Sequence, residues 1–341
     1  MKAPSIIFIV GNSRSGTTML GRALGAHAQI HTFPELQVFE RLIDKDDMGL
    51  TANIDSIRLE ILGANILKTI RRGVFVAGST DDFVIEVQEL IQSKHIVTPM
   101  ELYIELLRHE SAAIGKSIPC EQTPRYIFTS NEILNAFSDA HIIHIYRDPR
   151  DVLLSQKNRW KRRLLSNNQI PFKRTFISWS NYHPELTSRL WGAVMRQAQS
   201  LSDSPRFHEV SYETLLTDPE TSLRTLCEKI GIPFDKSIMN VSLEGSSSRR
   251  DKDKSVVGFD ASRIGNWKVG GLHKAEIEIC EKRVGKIMIT KGYHLSSIKS
   301  NMLARLALQC ILPLKIVCAI IFNYSRFRNL GKMISRRFFG I

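Results

Sequence analysis

The fold of this 341-residue chain is decided by residues 5–24, SIIFIVGNSRSGTTMLGRAL. Residues 6–10 are a continuous, mostly β-branched apolar run, which predicts a strand buried on both faces. The run ends at Gly11, a polar turn of small residues follows, and apolar residues resume with helical spacing after Gly16. Such a strand–turn–helix unit predicts an anion-binding turn, because backbone N–H groups converge at the helix N-terminus and the helix dipole adds positive charge.

The turn differs from the P-loop of nucleotide hydrolases at one position. Gly11 and Gly16 have the separation of the pattern GxxxxGK[ST], and Thr18 stands at its Ser/Thr position. Thr17, however, replaces the lysine that a hydrolase needs for the β- and γ-phosphates. Because Arg14 supplies a forked cationic donor, the turn predicts a site for a diester or sulfate-like anion. A strand-to-helix turn without a ligand is the alternative.

The rest of the chain predicts a doubly wound, mainly parallel α/β sheet flanked by helices. Residues 141–146, HIIHIY, form a second β-branched run that leads through a turn into a helix predicted to open at Asp151. Shorter strands are predicted at 118–121 and 207–210. Residues 30–43 are expected to be an extended piece followed by a helix from Pro34. Helical spacing of apolar residues predicts further helices at 53–70, 81–93, 98–115, 130–137, 173–200, 219–230 and 275–291.

The net charge of +13 is concentrated at the C-terminus. Residues 282–341 hold twelve Lys and Arg and no Asp or Glu, which leaves +1 for the first 281 residues. The main domain is therefore nearly neutral, and we expect no nucleic-acid partner.

The cysteines predict a reducing compartment. The chain has five, scattered and without a CxxC pair, which favours buried thiols over disulfides or a metal site. The first strand begins near Ser5 and leaves no room for a signal peptide, so we expect the domain to be cytoplasmic.

We expect a domain at 1–295, with a polar, mobile loop at 243–258, and a basic, apolar segment at 296–341. Residues 302–322 are mostly apolar but contain Pro313 and cations, which is weak for a membrane span. The residues after 322 pair aromatic rings with cations, which predicts an interfacial helix on an anionic membrane. A last helix packed on the domain is the alternative.

Two segments together resemble the cofactor motifs of the sulfotransferase family, which uses 3′-phosphoadenosine-5′-phosphosulfate (PAPS). They are the turn 11–18 and RDPRDVLLS, residues 147–155. The resemblance implies that the 5′-phosphosulfate is bound by the first turn, through Arg14, Ser15, Gly16, Thr17 and Thr18. It implies that the 3′-phosphate is bound by Arg147 and Ser155.

The resemblance extends over roughly residues 5–295. Glu35 lies 21 residues after Arg14, where tyrosylprotein and many bacterial sulfotransferases place a glutamate base. Tyr212 matches a tyrosine that lies near the nucleotide. SRIGNWK, residues 262–268, more loosely resembles the segment that closes over the cofactor, and it contributes Arg263. The alternatives are a solvated glutamate at position 35 and a core tyrosine at position 212.

The implied reaction moves a sulfuryl group from PAPS to an acceptor hydroxyl, expected on a carbohydrate or glycolipid, with no metal. Arg14 and nearby backbone N–H groups would stabilise the leaving phosphate, and Glu35 would take the acceptor proton. Gln122 departs from the family, since many relatives have a lysine there that stabilises the transferring group. Three cations could replace it: Arg125, Arg159 and Lys161.

Other interpretations remain open at this stage. A P-loop kinase or other nucleotide-dependent phosphotransferase is disfavoured by Thr17 and by the pair Arg147 and Ser155. A non-catalytic, membrane-associated relative is favoured only by Gln122. Four histidines on strands or apolar faces are weaker candidates for the base, and a structural role is expected for them: His27, His31, His141 and His144.

Overall fold

The computed structural model describes residues 4–43, 49–74, 76–161, 172–241 and 258–323. Within them five strands form one sheet: β1 (Ile6–Gly11), β2 (Ile30–Phe33), β3 (Ile118–Glu121), β4 (Ala140–Tyr146) and β5 (Phe207–Ser211). The strand order is β2-β3-β1-β4-β5, and every neighbouring pair is parallel. The predicted doubly wound α/β fold is confirmed.

Helices cover both faces of the sheet. They are α1 (Thr17–Gly25), α2 (Ser56–Arg72), α3 (Val84–Lys94), α4 (Pro99–Ala112), α5 (Ser130–Ala136), α6 (Pro149–Lys157), α7 (Phe172–Ser180), α8 (Pro184–Ser200), α9 (Tyr212–Thr217), α10 (Pro219–Ile230), α11 (Asn266–Val269), α12 (Lys274–Thr290) and α13 (Met302–Asn323). Residues Ile6, Phe8 and Val10 of β1 pack towards α2–α5 and α8. Ile7 and Ile9 pack towards α1, α9 and α10. Because β1 is buried on both faces, it reads as an unbroken apolar run.

The strand order creates a crevice between β1 and β4. The chain leaves β1 towards β2 and β3 on one side, whereas it leaves β4 towards β5 on the other. In open parallel sheets ligands bind outside the carboxyl ends of the strands at such a reversal. Here the turn after β1 and the segment that begins at Arg147 flank that point.

Two predicted helix starts need correction. The helix after β4 begins at Pro149 instead of Asp151, because Asp148 accepts a hydrogen bond from the backbone N–H of Arg150 and proline suits the first helical position. The helix start predicted at Pro34 is wrong: within the described residues 30–43, β2 is followed by a π-helical turn at Phe39–Ile43. Three backbone N–H groups of the segment donate to side chains instead: Leu36 to Glu121, Gln37 to Thr123 and Val38 to Tyr126.

Helix α13 packs on the domain by one face. Arg305 forms an ion pair with Glu278 at 2.6 Å, and Nζ of Lys315 donates to the carbonyl of Trp179 at 2.9 Å. The rings of Phe176 and Phe322 lie 4.9 Å apart. The boundary at residue 295 stays a prediction. Most of the expected loop 243–258 and the chain after residue 323 lie outside the described residues.

A pair of histidines joins β4 to β5 and should make stability depend on pH. Nδ1 of His141 lies 2.9 Å from Nε2 of His208, and burial lowers the pKa of His208 from 6.5 to about 4. The unfolded chain therefore binds a proton that the folded chain does not, and stability is lost as pH falls through that window.

We expect the free energy of unfolding to fall more in the wild type than in His208→Gln between about pH 7 and about pH 5. The excess should be about 1 kcal/mol, because solvent screening reduces the full effect of the shift. Urea unfolding at both pH values measures it. His294→Gln, at an exposed position, is the control, and an equal loss in wild type and His208→Gln would contradict the expectation.

Candidate active site

The turn between β1 and α1 is shaped by two glycines with positive φ. Gly11 has φ +153°, and a methyl group there would lie 2.3 Å from the carbonyl oxygen of Ile145 in β4. Gly16 has φ +101°, and a methyl group there would lie 2.5 Å from Cδ2 of Tyr212. Only glycine permits both the backbone conformation and this close approach. The turn is therefore held against β4 and against the start of α9.

Arg14 connects this turn to α6. It has φ +79°, which is uncommon for a residue with a side chain. Its Nε donates a hydrogen bond to Oγ of Ser155 at 2.9 Å. Strained backbone of this kind persists only where the surroundings enforce it, and it concentrates at functional sites. The structure thus joins two residues that lie 141 positions apart in the chain.

Arg147 lies at the carboxyl end of β4, over the ring of Tyr212. The guanidinium carbon is 4.3 Å from the ring centroid, and Nη2 donates to the carbonyl oxygen of Arg263 at 2.8 Å. Burial raises the pKa of Tyr212, and the neighbouring arginine opposes the shift. Because Tyr212 also packs on Gly16, these residues and the first turn form one continuous site.

Asp151 is a site residue that the sequence reasoning missed. Its two carboxylate oxygens accept from the backbone N–H groups of Gly265 at 2.8 Å and Trp267 at 3.0 Å. Burial raises the pKa of this carboxyl, and Arg147 at 3.7 Å opposes the shift. The only sequence signal is its place in RDPRDVLLS, since its partners are more than a hundred residues away. Asp151 holds the segment 262–268 against α6.

Four orphaned polar atoms of the described residues lie in this site: Oδ1 of Asn12, Oγ of Ser15, Nε of Arg147 and Nε1 of Trp267. All four are buried and have no hydrogen-bond partner within the described part of the chain. Native proteins rarely leave such groups unsatisfied, so a missing partner is a common reason for them. Oγ of Ser15 and Nε of Arg147, together with the first N–H groups of α1, would suit an anionic ligand.

Glu35 lies at the same edge of the sheet, on the far side of β1. It follows β2, whose Phe33 pairs with Glu121 of β3, and Glu121 pairs in turn with Phe8 of β1. The Glu35 side chain is exposed, and its Oε1 accepts from Nε2 of Gln37 at 2.7 Å. The carboxylate is thus open to a second molecule.

Gln122 packs on α1. A methyl group at Gly21 would lie 2.8 Å from Oε1 of Gln122, and this oxygen is buried without a hydrogen-bond partner in the described residues. The three cations considered as substitutes lie in two 3₁₀ turns. Arg125 is half-buried in the turn Pro124–Thr129, and two others are exposed in the turn after α6: Arg159 and Lys161.

The four histidines considered as bases have structural partners. His27 contacts the carbonyl of Pro233, and His31 contacts Oγ of Ser111 at 3.3 Å. Burial lowers the pKa of His31. The two others contact side chains of β5: His141 contacts His208, and the fully buried His144 contacts Glu209.

Comparison with known proteins assigns the family. The model of the sulfotransferase family matches residues 4–236. The chain belongs to the sulfotransferase family. This assignment makes it a PAPS-dependent sulfotransferase and favours sulfuryl transfer over the phosphotransferase alternative.

The chain is also similar to individual sulfotransferases. Protein-tyrosine sulfotransferase 1 of Danio rerio is 23% identical over 303 residues, which is 88% of this chain and 71% of that protein. The sulfotransferase domain from the curacin biosynthetic pathway has the same fold, with a TM-score of 0.52 and 18% identity over 87% of this chain and 100% of that chain. For the sulfotransferase domain of the Synechococcus PCC 7002 olefin synthase the TM-score is 0.49 and the identity 21%, over 87% and 98% of the chains.

The close packing of Tyr212 on the first turn gives a test of the site. In Gly16→Ala the new methyl group meets the tyrosine ring and the backbone conformation is strained, so we expect a loss of about 1–3 kcal/mol in stability. Affinity for adenosine 3′,5′-bisphosphate should fall at least about tenfold, because the turn moves. Thermal unfolding and calorimetry measure both.

The matched control is Gly115→Ala, which has φ +72° but no atom within 4 Å of the new methyl group. It shares the backbone strain without the collision. Unchanged affinity in Gly16→Ala, or tighter binding of ATP than of adenosine 3′,5′-bisphosphate by the wild type, would contradict our description of the site.

Proposed function

We propose that this sulfotransferase transfers the sulfuryl group of PAPS to a hydroxyl of a carbohydrate or glycolipid, with Glu35 as general base. The observation that carries the proposal is the hydrogen bond from Arg14 to Ser155, which joins the two predicted cofactor motifs into one cationic site. PAPS supplies an activated sulfuryl group whose departure leaves adenosine 3′,5′-bisphosphate.

The donor atoms of the site suit a nucleotide with two anionic ends. On this proposal the first end is bound by the turn, through Arg14, Ser15, Gly16, Thr17 and Thr18. Their backbone N–H groups and the Arg14 guanidinium stabilise charge that develops on the leaving phosphate. The orphaned Oγ of Ser15 supports this assignment.

The second end is bound by Arg147 and Ser155. Arg147 has a buried Nε without a partner in the described part of the chain, and the adjoining Tyr212 ring fixes its guanidinium. Arg147 also donates a hydrogen bond to the carbonyl oxygen of Arg263. On this proposal the segment that contains Arg263 closes the site. Asp151 positions this segment through Gly265 and Trp267.

Glu35 takes the proton of the acceptor hydroxyl. Its exposed position lets an acceptor approach, and the hydrogen bond from Gln37 restricts its rotation. A carboxylate within about 3 Å of the hydroxyl can remove the proton as the oxygen–sulfur bond forms. The expectation that no metal takes part stays a prediction. Gln122 and the cations considered in its place have no assigned role in transfer.

Glu35→Gln tests the base. The amide keeps the size of the side chain but cannot take a proton, so we expect kcat to fall about 10²- to 10⁴-fold. Affinity for adenosine 3′,5′-bisphosphate should stay unchanged, because Glu35 lies outside the cofactor turns. Transfer of labelled sulfate and calorimetry measure the two quantities.

Glu132→Gln, at an exposed position of α5, is the matched control. Full activity of Glu35→Gln would remove Glu35 from the mechanism. A wild type without PAPS-dependent activity on any hydroxyl acceptor would favour a non-catalytic role instead.

Helix α13 carries the proposed membrane contact. Its residues Met302–Phe322 are long and apolar enough to cross a membrane, with a mean hydropathy of 2.0. Six of its exposed apolar residues recur every three or four positions along one face, which is the spacing of an amphipathic helix. They are Leu303, Leu306, Cys310, Leu314, Val317 and Ile321. We refer to them as the apolar stripe.

The opposite face supports docking beside a membrane over crossing it. Arg305 pairs with Glu278, and Lys315 donates to the carbonyl of Trp179. Both cations therefore contact the domain. The sequence after residue 323 adds five Lys and Arg and no acidic residue. We therefore propose that the stripe inserts into the surface of an anionic bilayer and that the following cations bind its headgroups.

A membrane-bound enzyme would meet a lipid-linked acceptor directly, which is the reason for including glycolipids in the proposal. We also propose a cytoplasmic location, on the inner face of the membrane. All five cysteines are free and three of them are buried, which suits a reducing compartment: Cys120, Cys227 and Cys280.

Charge placed in the apolar stripe tests the membrane contact. In Leu306→Glu/Leu314→Glu two exposed apolar side chains become acidic, and we expect binding to vesicles containing phosphatidylglycerol to fall at least about tenfold. Flotation at low salt measures it. The matched control is Ile57→Glu/Ile61→Glu, which places the same charges at exposed apolar positions of α2. Equal flotation of both double variants and the wild type would contradict the proposal.

A further inference from the structure

Three side chains of one segment hold three consecutive backbone N–H groups of the turn after β2. The N–H of Leu36 donates to Oε1 of Glu121 at 3.1 Å. The two that follow behave alike: Gln37 donates to Oγ1 of Thr123 at 3.3 Å, and Val38 to the hydroxyl of Tyr126 at 2.7 Å. We call the three acceptors, Glu121, Thr123 and Tyr126, the amide clamp.

The clamp is fully buried. Glu121, Thr123 and Tyr126 each have an exposed fraction of 0%. A buried carboxyl group is costly unless it is hydrogen-bonded. Glu121 accepts from the N–H groups of Leu36 and Thr123 and from the Thr123 hydroxyl. Burial raises the pKa of Glu121 to about 8, whereas these hydrogen bonds act in the opposite direction.

The clamp fixes the backbone on both sides of Glu35. Before it, Phe33 pairs with Glu121 in the parallel ladder of β2 and β3. After it, Leu36 donates to the carboxyl group of that same Glu121. Glu35 itself is exposed, with one hydrogen bond to Gln37, so its position depends on the backbone that carries it. Reacting groups need placement to within about 1 Å.

We propose that Glu121 is a positioning residue for Glu35, acting through the Leu36 N–H and with Thr123 and Tyr126 as its partners. The inference rests on the proposed role of Glu35 as base. In this proposal Glu121 does not contact the acceptor or the cofactor. Its carboxyl group accepts through both oxygens, whereas a glutamine offers one oxygen and turns an NH₂ group towards a backbone N–H.

The test combines hydrogen exchange with kinetics in Glu121→Gln. We expect amide protection at residues 36–38 to fall at least about tenfold, because the turn opens more often. We expect kcat to fall between about tenfold and a hundredfold as Glu35 moves. The KM for PAPS and the affinity for adenosine 3′,5′-bisphosphate should not change, which separates positioning from a general loss of structure. Glu132→Gln is the control for the charge.

Tyr126→Phe gives an independent test if Glu121→Gln fails to fold. It keeps the ring that packs against Phe39 and removes only the hydroxyl that accepts from Val38. We expect the same pattern at a smaller size, with lower protection at residues 36–38 and lower kcat. Unchanged protection, or lost protection with unchanged kcat, overturns the positioning role.

A double variant separates this inference from the role of Glu35. If Glu121 acts through Glu35, then Glu35→Gln/Glu121→Gln has the kcat of Glu35→Gln alone. A double variant slower by the product of both effects overturns the link. Full activity of Glu35→Gln instead refutes the role of Glu35 as general base. That result is independent of the hydrogen exchange measured at residues 36–38.

Discussion

The site depends on the parallel pairing of β1 with β4. The two strands are in register from Ile6 and Ala140 to Gly11 and Ile145, so both end at the same level. The close approach of Gly11 to the carbonyl of Ile145 brings the two turns that follow into contact. Because the chain leaves these strands in opposite directions, a crevice opens between the turns. An anion there meets a helix N-terminus from one side and an arginine from the other.

The P-loop-like turn lacks the P-loop lysine but has two arginines beside it. Positive charge comes from Arg14 within the turn and from Arg147 on the neighbouring strand. The contact of Arg14 with Ser155, and that of Arg147 with Tyr212, make the two turns a single unit. Damage to one turn should therefore affect binding at the other, as is usual for residues in one hydrogen-bond network.

The C-terminal helix has two different faces. One face docks on the domain, and the other is the face that we propose to bind the membrane. Its polar contacts, through Arg305 and Lys315, go to the domain. Most of its exposed residues are apolar. A helix of this kind can rest on the protein and still offer a surface to lipid. Both cations of this apolar helix have partners on the protein, Arg305 near its start and Lys315 in its middle.

The sequence by itself determined the sheet and the strand-to-helix turns that follow β1 and β4. Buried parallel strands need unbroken apolar runs, and a strand-to-helix turn that binds an anion needs glycine and small residues, so β1, β4 and the turn at Gly11 could be read locally. Tertiary structure alone decided the segment after β2, where a helix was expected from Pro34. Glu121 and Tyr126 take its N–H groups, and they lie more than eighty positions away. The hydrogen bond from Gly265 to Asp151 could not be predicted either, because hydrogen bonds between distant residues leave no periodic pattern in a sequence.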